Sequence, residues 1–183
     1  LETSTLVFAN YVDGSLVSNG VEITLTAIVI DENPIHHYEI IDYEGTEIAY
    51  MVYNHFTSGT NDKWLQALDN QLAVIKTSGI QDLIIDIRYN PGGSIFMANH
   101  LASSLCPAEV PGNDNPFVYL EWNDIFHELL IEEEGEDSES LVTFFEEAPS
   151  TNLDLRSIYF LTSSHSASAS ELLIIGLDPF MNV

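Results

Sequence analysis

Hydrophobic and polar positions change period several times along the chain, and each change marks an element. Val21 to Ala27 (Val-Glu-Ile-Thr-Leu-Thr-Ala) alternates, as a half-buried strand does, and Thr5 to Ala9 is a second β-like run. Asp13-Gly14 and Asn19-Gly20 lie between them as turn signals. Residues 31–45 read as a connector, broken at Pro34 and turning at Glu44-Gly45. Glu47 to Tyr53 follows as a central strand. From Asn61 to Thr77 the period becomes helical: Trp64, Leu68, Leu72 and Ile75 recur at steps of three and four, and Gly79 is a C-cap signal.

Leu83 to Ile87 is a nearly continuous apolar run, the pattern of a buried parallel strand. Pro91-Gly92-Gly93 turns the chain, and Ile95 to Leu105 reads as a helix, so strand, glycine turn and helix form an α/β unit. Phe117 to Leu120 is a further strand. Residues 124–148 are mixed: Ile125-Phe126 and Leu129-Leu130 have helical spacing, whereas Glu132 to Glu139 is an acidic run with Gly135 that reads as an exposed loop. Tyr159 to Leu161 is a strand, and Ser170 to Phe180 is a helix stopped near Pro179. The chain has no internal repeat.

Composition narrows the function. The 183 residues suffice for one domain with a small appendage, and 45% are hydrophobic, as in an ordinary globular protein. The formal net charge is −25, which repels nucleic-acid phosphates and anionic lipid headgroups and excludes DNA or RNA as partners. Cys106 is the only cysteine, so no intrachain disulfide forms and the redox compartment stays open. No apolar run approaches the ~20 residues that span a bilayer. Leu1 is not a start methionine and no signal peptide is visible, so the chain reads as a piece of a longer precursor.

The richest chemistry lies at the strand-to-helix turn Ser164-His165-Ser166-Ala167-Ser168-Ala169-Ser170-Glu171. Ser166, Ser168 and Ser170 are alternative nucleophiles, and helix-start N–H groups beside them can hold an oxyanion. A plain N-cap explains the same residues without chemistry. The second motif is Asp86-Ile87-Arg88-Tyr89-Asn90-Pro91-Gly92-Gly93. Its paired glycines permit positive φ and close backbone approach, and a tight βα turn explains them equally well. No Gly-Lys-Ser/Thr follows, so it is not a phosphate-binding P-loop.

Taken together, Asp-Ile-Arg-Tyr-Asn-Pro-Gly-Gly and the later Ser-Ala-Ser-Ala-Ser-Glu resemble the tail-specific, or C-terminal processing, serine peptidases of family S41. Ala49 to Phe56 looks like that family's opening strand, so the resemblance covers residues 47–183. It looks most like the secreted or lipid-anchored type of Bacteroides-like bacteria, which implies an extracytoplasmic location. It implies an α/β fold of the ClpP/crotonase-like type, with repeated ββα units, incomplete at the C-terminus. The domains are then residues 1–44, a β segment and connector ending a PDZ-like module, and 45–183, the peptidase core. The resemblance also makes Ser168 the nucleophile and the N–H groups of Ala169 and of Gly93 or Gly92 (Gly93 preferred) the oxyanion hole. It implies a polypeptide substrate, and no cofactor or metal.

The family's base is a lysine on the strand after the motif helix, and this chain ends before it. Lys63 and Lys76 bracket an upstream helix and read as solvated, so the chain by itself is expected to be inactive. His165 stands too close to Ser168 for easy in-line geometry. His36, His37, His55, His100 and His127 show no zinc-ligand spacing. Glu132, Glu133, Glu134, Glu136 and Asp137 lack the alternation of an EF-hand loop. Two other readings stay open: a peptide-binding relative without catalysis, and an acyl-CoA enzyme of crotonase type. Scarce basic residues disfavour the second. Oligomeric state is not legible.

Overall fold

The computed structural model describes every residue except Leu1, Val29 and Asp137. The chain divides into two compact units, Leu1–Glu32 and Asn33–Val183. In the first, β1 (Thr3–Val12) and β2 (Ser15–Thr26) form an antiparallel hairpin closed by Asp13-Gly14, both at positive φ as a two-residue hairpin turn requires. Asn19-Gly20 is not a turn. It sits inside β2 as a bulge, where Val7 pairs with Glu22 and Ala9 with Ser18, and Asn19 Oδ1 accepts from Val21 N–H at 3.0 Å.

The second unit opens with β3 (Ile35–Tyr43), antiparallel to β4 (Thr46–Tyr53) across the Glu44-Gly45 turn. The expected connector at 31–45 is therefore mostly strand, and the units part after Glu32 rather than after residue 44. Ile35, Tyr38, Ile40 and Ile41 do not alternate because β3 is an edge strand, exposed over most of its length, with a register shift between Ile35 and His37. Main-chain pairing to β4 holds it, and pairing leaves no hydrophobic period to read.

After β4 come α1 (Lys63–Ser78), β5 (Asp82–Asp86), α2 (Ile95–Leu105), β6 (Pro116–Tyr119), α3 (Asp124–Glu134), β7 (Val142–Phe144), β8 (Tyr159–Leu161) and α4 (Ala169–Leu177). The main sheet has the order β3-β4-β5-β8, with β4, β5 and β8 parallel. β6 and β7 pair separately. The α/β fold is the one anticipated. The acidic run is corrected in part. Glu132, Glu133 and Glu134 belong to α3, which buried Leu130 anchors, while Asp137 lies outside the described residues.

The core lies between sheet and helices. β4 turns Ala49, Met51 and Tyr53 inward, and α1 answers with Leu68, Leu72 and Ile75. Every residue of α2 from Met97 to Leu105 is buried. α4 packs close to β6: a Cβ on Gly176 would lie 2.4 Å from the Phe117 ring. Because β4, β5 and β8 run in parallel, their C-terminal ends meet at one edge, where open α/β sheets place their sites.

Candidate active site

Three loops leave that edge, and hydrogen bonds sew them together. After β5 the chain turns tightly, with Asn90 N–H donating to Ile87 O at 3.0 Å. The buried Asn90 side chain then reaches both ways: Nδ2 donates to Tyr53 O at 2.9 Å, and Oδ1 accepts from Gly92 N–H at 2.9 Å. Gly93 is bridged to Phe56, with Phe56 N–H donating to Gly92 O at 3.0 Å and Ser94 N–H to Phe56 O at 2.8 Å. This bridge uses the carbonyl of Gly92 and the N–H of Ser94, and leaves the N–H of Gly93 outside it.

The loop after β8 docks onto the same turn. Ser163 Oγ donates to Arg88 O, Ser166 Oγ to Ile87 O at 2.8 Å, and Ser170 Oγ to Asn90 O at 2.9 Å. Ala167 N–H also reaches Asn90 O, at 3.3 Å. The three candidate serines are thereby separated. Ser166 and Ser170 spend their hydroxyl protons on carbonyls of the glycine turn, and Ser170 is fully buried. Ser168 is exposed.

Ser168 stands at φ 56°, ψ −118°, immediately before α4. An ordinary N-cap has extended dihedrals, so this conformation costs about 1–3 kcal/mol that the surroundings must offset. A reciprocal capping box with Glu171 offsets part of it: Ser168 N–H donates to Glu171 Oε2 at 2.7 Å. Ala169, the first helical residue, is buried, and among the described residues no group accepts from its N–H. Gly92 lies directly opposite. A Cβ there would come within 2.7 Å of Ala167 O and of Ser168 Cβ, and within 3.0 Å of Ala169 N. The fold thus brings Ser168, Ala169, Gly92 and Gly93 into one place. A hydroxyl displayed beside unpaired main-chain N–H groups can attack a carbonyl and have the resulting oxyanion bound.

Below the turn, Asp86 is buried at the end of β5. It accepts from Arg88 (Nη2 to Oδ2, 2.6 Å) and from Tyr50 Oη (2.7 Å). The Arg88 hydrogen bonds hold its carboxyl down to about 2, and the bond to Asp86 raises the Tyr50 phenol. Burial pushes the Cys106 thiol up to about 12, which removes it as a nucleophile. The other candidates lie elsewhere. Lys63 sits 4.3 Å over the Trp64 ring, and Lys76 Nζ donates to Asn152 O at 2.7 Å. His165 is exposed, with its backbone N–H on Ser163 Oγ.

Comparison with known proteins settles the family, for the sequence profile of peptidase family S41 matches residues 47–177. The chain belongs to peptidase family S41. No curated protein matches it. Among solved structures, an S41 protease from Bacteroides fragilis is similar at 27% identity and TM-score 0.70, covering 99% of this chain and 46% of that one. A photosystem II D1 C-terminal processing protease is similar at 17% identity and TM-score 0.55, covering 87% and 37%. The chain therefore spans less than half the length of either.

Within this S41 chain, reading the sequence passed over Asn90, Tyr50 and Glu171 as parts of the site. Glu171 had a local signal, the Ser-x-x-Glu spacing of a capping box. Asn90 had none, since its partners Tyr53 and Gly92 meet it only in the folded sheet edge. His100, one of several scattered histidines, is buried between two carboxylates: Nε2 lies 2.7 Å from Asp69 Oδ1 and Nδ1 lies 3.0 Å from Glu146 Oε1. Burial alone would lower its pKa, but the hydrogen bonds to Glu146 and Asp69 outweigh that and raise it.

Proposed function

We propose that this chain carries the nucleophile and oxyanion half of a serine endopeptidase of the C-terminal processing type. Ser168 Oγ attacks the scissile carbonyl of an extended polypeptide, and its proton passes to a neutral lysine. The N–H groups of Ala169 and Gly93 bind the oxyanion. Collapse expels the amine, which takes the proton from the lysine, and water then hydrolyses the acyl-enzyme along the same path in reverse. The observation that carries this reading is the exposed Ser168 at positive φ, pressed against Gly92 and followed by an unpaired helix-start N–H.

The base in this proposal follows Val183. Supporting it, Asn182 pairs in parallel with Ser157, with Ile158 N–H donating to Asn182 O at 2.9 Å. The chain there is directed along the free edge of β8, toward the end of the sheet where the serine turn lies. Residues 1–183 alone then cleave nothing. In a chain extended past Val183, Ser168→Ala lowers turnover of an unstructured peptide by about 10³-fold or more. An unchanged rate rejects the assignment. An extracytoplasmic location goes with this reading, and recovery of the extended protein only from cytoplasm would reject that part.

One observation favours a second reading, a peptide-binding protein without catalysis: the two lysines of the chain are both on α1, engaged with Trp64 and with Asn152. A continuation past Val183 with no lysine on its next strand would select it.

A further inference from the structure

α3 presents a surface that the peptidase reading does not use. The helix packs inward through buried Leu130, with His127 and Ile131 lining a cavity shared with Tyr119, Leu120 and Leu141. Its outer side carries apolar residues as well, beside glutamates. Ile125 is 84% exposed, and Phe126 and Leu129 beside it are exposed too. Trp122, just before the helix, stands edge-on to Phe126 with ring centroids 5.3 Å apart, held by its indole N–H on Ser140 O at 2.9 Å. A surface helix ordinarily turns polar residues outward, and a contiguous apolar face marks a binding surface.

The charges on the same helix are arranged against its own stability. Glu128 and Glu132 are like charges four residues apart, which destabilise a helix. Glu132, Glu133 and Glu134 occupy the last turn, where the helix dipole is already negative and cations are favoured. No Lys or Arg occurs from residue 110 to 150 to relieve them. Ile125, Glu128, Leu129 and Glu132 follow one another at helical spacing, so the apolar strip and the uncompensated acids share a side.

We propose that this face of α3 binds a polypeptide segment that is itself cationic and amphipathic. Its Lys or Arg residues pair with Glu128, Glu132 and Glu133, and its apolar residues cover Ile125 and Leu129. Charge decides the occupant: at −25, a second copy of this chain is repelled, whereas a basic segment removes repulsion that α3 now bears. The inference uses no residue of the serine turn.

The test measures binding of a labelled lysine-leucine amphipathic peptide, and of its glutamate-leucine counterpart, to the 183-residue chain by anisotropy. The basic peptide is expected to bind saturably and more weakly as salt rises. Affinity should fall by about tenfold or more in the Ile125→Ser/Leu129→Ser variant and again in Glu128→Gln/Glu132→Gln. The latter should at the same time unfold at a higher temperature than wild type, a gain that a merely structural role for these glutamates would reverse. Three results overturn the proposal. Absence of saturable binding is one. Binding unchanged in Ile125→Ser/Leu129→Ser would show diffuse attraction to an acidic chain. Equal binding of the acidic peptide, or a wild-type dimer that this variant dissolves, would show apolar association without charge selection.

Discussion

Gly92 and Gly93 are adjacent and both hold positive φ, yet a side chain would meet a different obstacle at each. At Gly92 it meets the serine turn where α4 begins, with Ala167 O and Ser168 Cβ at 2.7 Å and the Ala169 nitrogen at 3.0 Å. At Gly93 it meets the Phe56 carbonyl at 2.2 Å, backbone locked in a bridge. Gly92→Ala should therefore cost about 1–3 kcal/mol of backbone strain and, in addition, push the serine turn away from the glycine turn. Gly93→Ala should cost more and loosen the Phe56 bridge, as chemical denaturation of the two variants will show. Asp86 supplies a pH dependence at the same scale. Its folded carboxyl titrates at about 2, below the ~3.9 of an unfolded aspartate, so its contribution is whole above that value and fades as pH falls toward 2. Arg88→Gln should move the midpoint of acid unfolding to higher pH. The glycines and serines were legible as motifs, but composition and spacing left Ser166, Ser168 and Ser170 equivalent. What separates them is which carbonyl each hydroxyl reaches across the sheet edge, information that no local pattern holds.

Elements with a strong internal period were legible: α1 through Leu68, Leu72 and Ile75, and β5 through its apolar run. β3 was not, because an edge strand is selected by its neighbour's main chain rather than by burial. α2 shows what packing adds to a correctly placed helix. It buries His100, and that side chain ties three segments by bonding Asp69 of α1 and Glu146 after β7. The folded pKa of His100 is raised above the usual 6.5, so its stabilisation is complete below that value and is lost as pH rises through the higher, folded one. Thermal unfolding of the wild type should show this alkaline loss. His100→Gln should abolish the slope and cost about 1–3 kcal/mol at pH 6, from charged hydrogen bonds removed.

At the scale of the molecule, the two units differ in what protects their backbones. β4 and β5 are central strands beneath helices, whereas every described residue of β1 and β2 is exposed. A two-stranded hairpin is marginal by itself. Hydrogen exchange should find the amides of Met51 and Ile85 among the slowest in the chain and those of β1 and β2 among the fastest. Equal protection would mean that the hairpin is covered in solution. The α/β class was legible at this scale. The two units part after Glu32, a boundary that depends on β3 joining the main sheet and that no local pattern marks.

The hydrogen bonds that dock the serine loop also order events in time. Ser163, Ser166 and Ser170 bond to carbonyls 75, 79 and 80 residues earlier in the chain. Contacts that distant form late, and on a ribosome they cannot form until residues 163–170 have emerged. While the chain is being synthesised, Ser168 is a serine on a nascent peptide, with no turn to strain it and no glycine opposite. The conformation that sets Ser168 apart from its neighbours is therefore acquired only when the two loops meet, and not before.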